Sequence, residues 1–212
     1  MEESFEHPVY SPNVIEFVTV ANEFCKWLED FQSQNRAEFI ATALKILPLL
    51  YLKSTMLPKQ EALLEDFLEK YVSEEDYEFI RSQVQIKVGG FDDYLEVFTA
   101  DMQRSDLPLT STVSENLADI YQDIKDFLMS YRSAVTEIMN DALSELVTQF
   151  ETYWGQRLVN VLRALHMVYY GGESLLEDEE DINSQRNDLD ERNTDHWIIS
   201  QRQRDYKNGL LD

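Results

Sequence analysis

Apolar residues recur along this 212-residue chain at steps of three and four, the period of one helical face. No stretch shows the two-residue alternation of a half-buried strand. The first stripe is Val14, Phe17, Val18, Ala21, Phe24, Cys25, Leu28 and Phe31. It predicts a helix opening at Ser11 and Pro12, a capping serine followed by proline at the first helical position. Phe39, Ile40, Ala43, Leu44, Leu47, Leu50 and Tyr51 predict a second helix over 37–53, which Pro48 should kink or interrupt because it has no N–H. Pro58 is expected to start a shorter third helix carrying Leu63, Leu64, Phe67, Leu68 and Tyr71. Ser73 and Asp76 form a capping pair for a fourth, with Tyr77, Ile80 and Val84 inward and a stop at Gly89 and Gly90.

Thr112 with Glu115 reads as the capping box of a fifth helix, whose stripe is Leu117, Ile120, Tyr121, Ile124, Phe127, Leu128 and Tyr131. The last stripe runs over 135–169 and includes Leu143, Leu146, Phe150, Trp154, Leu158, Val161 and Leu165. It predicts roughly 50 Å of helix, unless Gly155 breaks it in two. Residues 89–112 carry no regular pattern but several aromatics, and are expected to form a packed loop with at most one helical turn.

The pattern ends at Gly171 and Gly172. Residues 173–195 then hold ten acidic side chains against Arg186 and Arg192, with too few apolar groups to offset the entropy of ordering. Apolar residues return in Trp197, Ile198, Ile199, Tyr206, Leu210 and Leu211, and groups of this kind on a tether should dock on this domain or on a partner. The expected architecture is all-α: an irregular bundle of five to seven helices over residues 1–172, then an acidic C-terminal tail over 173–212 with a short apolar terminal segment.

Charge narrows the class of partner. Forty-one acidic against 18 basic residues leave a net charge of −23. Such a field repels phosphate backbones and anionic lipid surfaces, so no nucleic-acid partner and no membrane partner is expected. The longest apolar run is only residues 46–52, far short of the roughly 20 residues needed to span a bilayer. Cys25 cannot form a disulfide within the chain, and the first ten residues hold three glutamates and no lysine or arginine. No secretory signal is read there, and a cytoplasmic location is expected.

Candidate chemistry is sparse. Glu115, Asp119, Asp123 and Asp126 fall on one helical face, a spacing that would let them share a magnesium ion. That face is centred about 145° from the apolar stripe, so it is read first as a solvated surface. His166 sits beside the last stripe and suits an acid, a base or a ligand, but no histidine or cysteine lies three or four residues away. Trp154 and Gly155 suggest close helix packing, or else a kink opening a pocket near Arg157. Cys25 reads as a core thiol. No phosphate-binding glycine loop, nucleophile elbow or Cys-x-x-Cys pair is present, so neither metal nor cofactor is expected.

Three stretches together resemble a bacterial all-helical domain family of unknown function found in Bacteroidetes. They are Tyr94, Leu95, Glu96, Val97 and Phe98; then Ser114 to Lys125 with its Leu117, Ala118, Asp119, Ile120, Tyr121 core; then Tyr153 to Leu158 with Ala164, Leu165 and His166. The likeness spans roughly residues 10–170. Gln122 departs from the arginine that the family often carries there. The resemblance supplies no activity to transfer, but it draws attention to Asp119, Tyr121, Asp123, Trp154 and His166. With Arg157 from the kink reading, the candidate polar site is Asp119, Tyr121, Asp123, Arg157 and His166. The expected role is a non-enzymatic protein-interaction or regulatory module whose partner presents a basic surface. The alternative is a metal-dependent hydrolase of a nucleotide or small phosphate ester, with Asp119 and Asp123 as ligands and His166 as base.

Overall fold

The computed structural model describes residues 7–64, 68–96, 110–172 and 174–176. Among these, six α-helices carry the fold: α1 (Pro12–Glu29), α2 (Arg36–Ser54), α3 (Glu74–Val88), α4 (Val113–Tyr131), α5 (Thr136–Gln149) and α6 (Gly155–Tyr170). A π-helical turn, Phe150–Trp154, joins α5 to α6, so the two form one continuous rod. A two-stranded antiparallel sheet pairs β1 (Asp93–Leu95) with β2 (Thr110–Thr112), in register Asp93 to Thr112. The protein is thus an irregular all-α bundle with one small hairpin, and none of the described helices is long and apolar enough to cross a membrane. The acidic tail beyond Leu176 lies outside the described residues.

Local signals set most helix starts. Ser73 accepts from the Asp76 N–H while the Asp76 carboxylate takes the Ser73 N–H, a complete capping box for α3. Thr112 accepts from the Glu115 N–H at the start of α4. Asn35 and Glu38 form a second complete box on α2. Ser11 differs from expectation. Pro12 opens α1, yet the Ser11 hydroxyl makes no capping bond and is buried without a partner. Pro48 does not interrupt α2 either; the helix continues six residues past it, although Pro48 has no N–H for the Leu44 carbonyl.

Two expectations are corrected. The described residues of 58–72 contain no helix; they form an extended strap across α4 and α5. Its backbone donors leave the chain-local pattern for side chains on those helices. Leu63 and Leu64 N–H donate to the Asp141 carboxylate at 2.7 and 2.8 Å, and Tyr71 and Val72 N–H to Asp126 at 2.8 and 3.0 Å. Asn140 also donates to the Glu61 carbonyl at 2.7 Å. The second correction is the hairpin. Residues 89–112 supply the expected single turn, a 3₁₀ turn at Gly89–Phe91, but also two strands. Buried Asp92 ties this hairpin to α4, accepting from the Ser114 N–H and hydroxyl, both at 2.8 Å.

The core lies where α1, α2, α4 and the α5–α6 rod meet. Phe17, Phe24, Phe39, Leu47, Leu117, Leu143, Trp154 and Leu158 are fully enclosed there. Phe39 stacks on Trp27 with centroids 4.8 Å apart and meets Phe31 at 4.7 Å. Each such ring contributes roughly 1.5–3 kcal/mol through area removed from water. Helices α2 and α6 run antiparallel. Tyr51 near the end of α2 touches Phe150 before α6, and Arg36 at the start of α2 donates to the Leu176 carbonyl just after it.

Candidate functional site

The carboxylate row on α4 is not a solvated face, because α3, the strap and the α5–α6 rod cover it. Glu115 alone stays exposed. Asp126 is occupied with the strap, as described. Asp119 is 12% exposed and holds three donors: the Tyr77 hydroxyl at 2.9 Å, the Tyr153 hydroxyl at 3.0 Å and the Arg157 guanidinium at 3.0 Å. Arg157 also donates to Asn116 Oδ1 at 2.6 Å and lies over the Tyr153 ring, 4.3 Å from its centroid. The Asn116 amide continues to the Tyr94 hydroxyl and to Ser111 Oγ, so the network reaches both strands of the hairpin.

Gly155 sets this geometry. A Cβ there would sit 2.4 Å from the Phe150 carbonyl and 2.9 Å from the Phe150 ring. The π-turn therefore needs a residue without a side chain at its exit, and it aims Tyr153 and Arg157 at Asp119 from one rod. The sequence reading is close helix packing over the glycine; the close neighbour is instead Phe150, from the preceding turn of the same rod. Burial, reinforced by the Asp119 charge, pushes the Tyr153 phenol up to about 12 and raises Tyr77 also. Both hydroxyls stay protonated donors at neutral pH.

Asp123 sits one turn from Asp119. Its Oδ2 is buried without a hydrogen-bond partner. Burial pushes its carboxyl up to about 6; Asp119, Asp126 and Glu145 push the same way and Lys70 opposes them. Beside it is a cavity of about 20 Å³, lined in part by Lys70, Asp126 and Glu145. That space suits one water molecule and nothing larger. Lys70 spans it, 2.6 Å from Glu145 and 3.9 Å from Asp126.

The remaining candidates lie elsewhere. Tyr121 faces α1, where its hydroxyl and the buried Lys125 ammonium both donate to Glu29, at 2.9 and 2.5 Å. His166 is exposed on the far side of α6, with its ring 4.8 Å from that of Tyr170. It lies nine positions along α6 from Arg157, about 13.5 Å along the axis and half a turn around it. The structure thus joins Asp119 to Arg157, sets Asp123 alongside, and leaves Tyr121 and His166 apart. Among the described residues no group of three or more His, Cys, Asp or Glu is arranged to hold a metal ion. Cys25 is a core thiol, 2% exposed.

His166 belongs instead to an open apolar groove between α2 and α6, lined by Leu44, Pro48, Val159, Leu162, Met167 and Tyr170, with Arg163 at its side. Val159 is 45% exposed, Met167 64% and Tyr170 68%. Sequence reasoning placed Leu44 inward, named Pro48 and His166 on other grounds, and passed over Val159, Met167 and Tyr170. The available signal was the set of large apolar residues on α6 lying off its core stripe. Tyr77, Asn116 and Lys70 were likewise missed as members of the polar cluster, since each depends on a partner from another element.

The sequence finds no match among curated proteins. In fold it is similar to a crystal structure of a Bacteroides fragilis protein from a structural genomics programme, with TM-score 0.70 and 45% sequence identity over 80% of this chain and 100% of that one. The model of a domain of unknown function, DUF5063, matches residues 8–171. That match takes in α1 to α6, the hairpin and the polar cluster, and the chain belongs to the DUF5063 family.

Proposed function

We propose that the protein is a non-enzymatic, cytoplasmic protein-interaction module that works through the α2/α6 groove. The exposed apolar lining carries this reading: Val159, Met167 and Tyr170 stand in solvent beside Leu44, Pro48 and Leu162. Contiguous apolar surface of this kind marks a docking site for an apolar segment. The polar cluster supports the same reading from the other side. Asp119 and Asp126 are occupied by tyrosine, arginine and backbone donors, which is how a clamp between helices is built. Net charge of −23 adds a preference for a partner that is basic around its apolar anchor.

The test compares proteins captured from native lysate by wild type, by Val159→Ser with Met167→Ser, and by Asp119→Asn. Circular dichroism confirms the fold of each. The groove variant should lose partners that wild type and Asp119→Asn retain. Equal capture by all three overturns the groove reading.

A further inference from the structure

Chain geometry brings one candidate occupant to the groove's edge. At the end of α6, Gly172 adopts φ +84°, and the chain passes Leu175 over the core. Arg36 then fixes the Leu176 carbonyl at 3.0 Å, at the α2 N-terminus. Because α2 and α6 are antiparallel, this point lies at the Tyr170 end of the groove. The far end, at Val159, is about 16 Å further along α6.

Twenty residues, 177–196, separate Leu176 from Trp197. An unconstrained chain of that length has an r.m.s. span of about 25 Å, and charge extends it. The span covers the whole groove, so a segment on this tether is held at an effective concentration of order millimolar. Residues 197–211 also have the composition that the groove and the acidic body select. They carry Trp197, Ile198 and Ile199 with Arg202, Arg204 and Lys207, and only Asp205 is acidic. A second copy of the chain is a poorer occupant, since it would bring −23 against −23.

We propose that the α2/α6 groove is covered by the chain's own C-terminal segment, residues 197–211, which an external partner must displace. This rests on the groove being the interaction surface and names its resident occupant. It also makes the segment a built-in competitor with the chemistry of the partner itself.

The test is thiol labelling in the full-length chain. Met167→Cys places a reporter in the groove, and wild type, with only the buried Cys25, gives the background rate. A second set adds Trp197→Ser, Ile198→Ser and Ile199→Ser. Labelling should be at least tenfold faster in the second set, and a synthetic peptide of residues 196–212 should restore protection. In the first set the rate should not change with protein concentration. Equal rates in both sets overturn the proposal, as does protection that grows with concentration, which would assign the groove to a second copy. Equal rates combined with partner loss in the groove variant would remove the occupant and leave the interaction reading standing.

Discussion

Helix α6 and the turn before it meet the rest of the molecule on opposite terms along their two sides. Toward α4 they place Arg157 and Tyr153 against the nearly buried Asp119, and charge and hydroxyl are matched there. Toward α2 they leave Val159, Met167 and Tyr170 facing solvent. Between these sides the stripe Leu158, Val161 and Leu165 is buried as binary patterning assigns, so the polar contact is matched while an additional apolar strip is left open. The difference separates two tasks. Matched polar groups fix the angle between helices, because an unpaired buried charge is costly, whereas unmatched apolar surface is available to something else.

The largest effect is expected from removing a polar partner on the closed side. Asp126→Ala leaves the Tyr71 and Val72 N–H groups without their acceptor, and should cost about 3 kcal/mol in urea unfolding. Gly155→Ala drives a methyl group into the Phe150 carbonyl and should cost about 2 kcal/mol. If instead the π-turn is expelled, Arg157 rotates away from Asp119 by about 100° and the Tyr153 phenol titrates closer to its ordinary value, which ultraviolet titration detects.

Asp123→Asn should act in the opposite direction. The folded carboxyl titrates near 6, above its unfolded value, so the native state binds the proton more tightly. Its penalty is absent below the unfolded pKa, grows as pH rises between about 4 and 6, and is complete above that window. The variant should therefore gain about 1–3 kcal/mol over wild type at pH 7.5, and the gain should vanish at pH 4. A difference that does not change with pH would mean that Asp123 is not held near 6. On the open side, Met167→Ser should change stability by less than about 0.5 kcal/mol while removing captured partners. A loss of several kcal/mol there would show that the groove is part of the core.

What the sequence conveyed followed from how local each signal was. Pro12, Ser73 with Asp76, and Thr112 with Glu115 act within four residues, and α1, α3 and α4 start where they indicate. The strap imitates a helix because Leu63, Leu64, Leu68 and Tyr71 fall at helical spacing. Its backbone is claimed by Asp126 and Asp141, 54 to 78 residues away in sequence. The acidic row looked solvated because angles measured on α4 alone do not include the elements packed against it. The hairpin strands are three residues each, too short for alternation to be visible. Asp119 and Arg157 were named on separate grounds, and only the π-turn makes them neighbours.

The strap also orders the events of folding. A segment whose amide donors are satisfied by two helices, and not by its own neighbours, gains nothing by forming before those helices have assembled. Residues 58–64 and 68–72 should then have φ-values near zero, and Asp126→Ala should speed unfolding while leaving the refolding limb of the chevron unchanged. Their amides should exchange with solvent through an opening that leaves α4 and α5 intact, so the strap can detach from a molecule that is otherwise native.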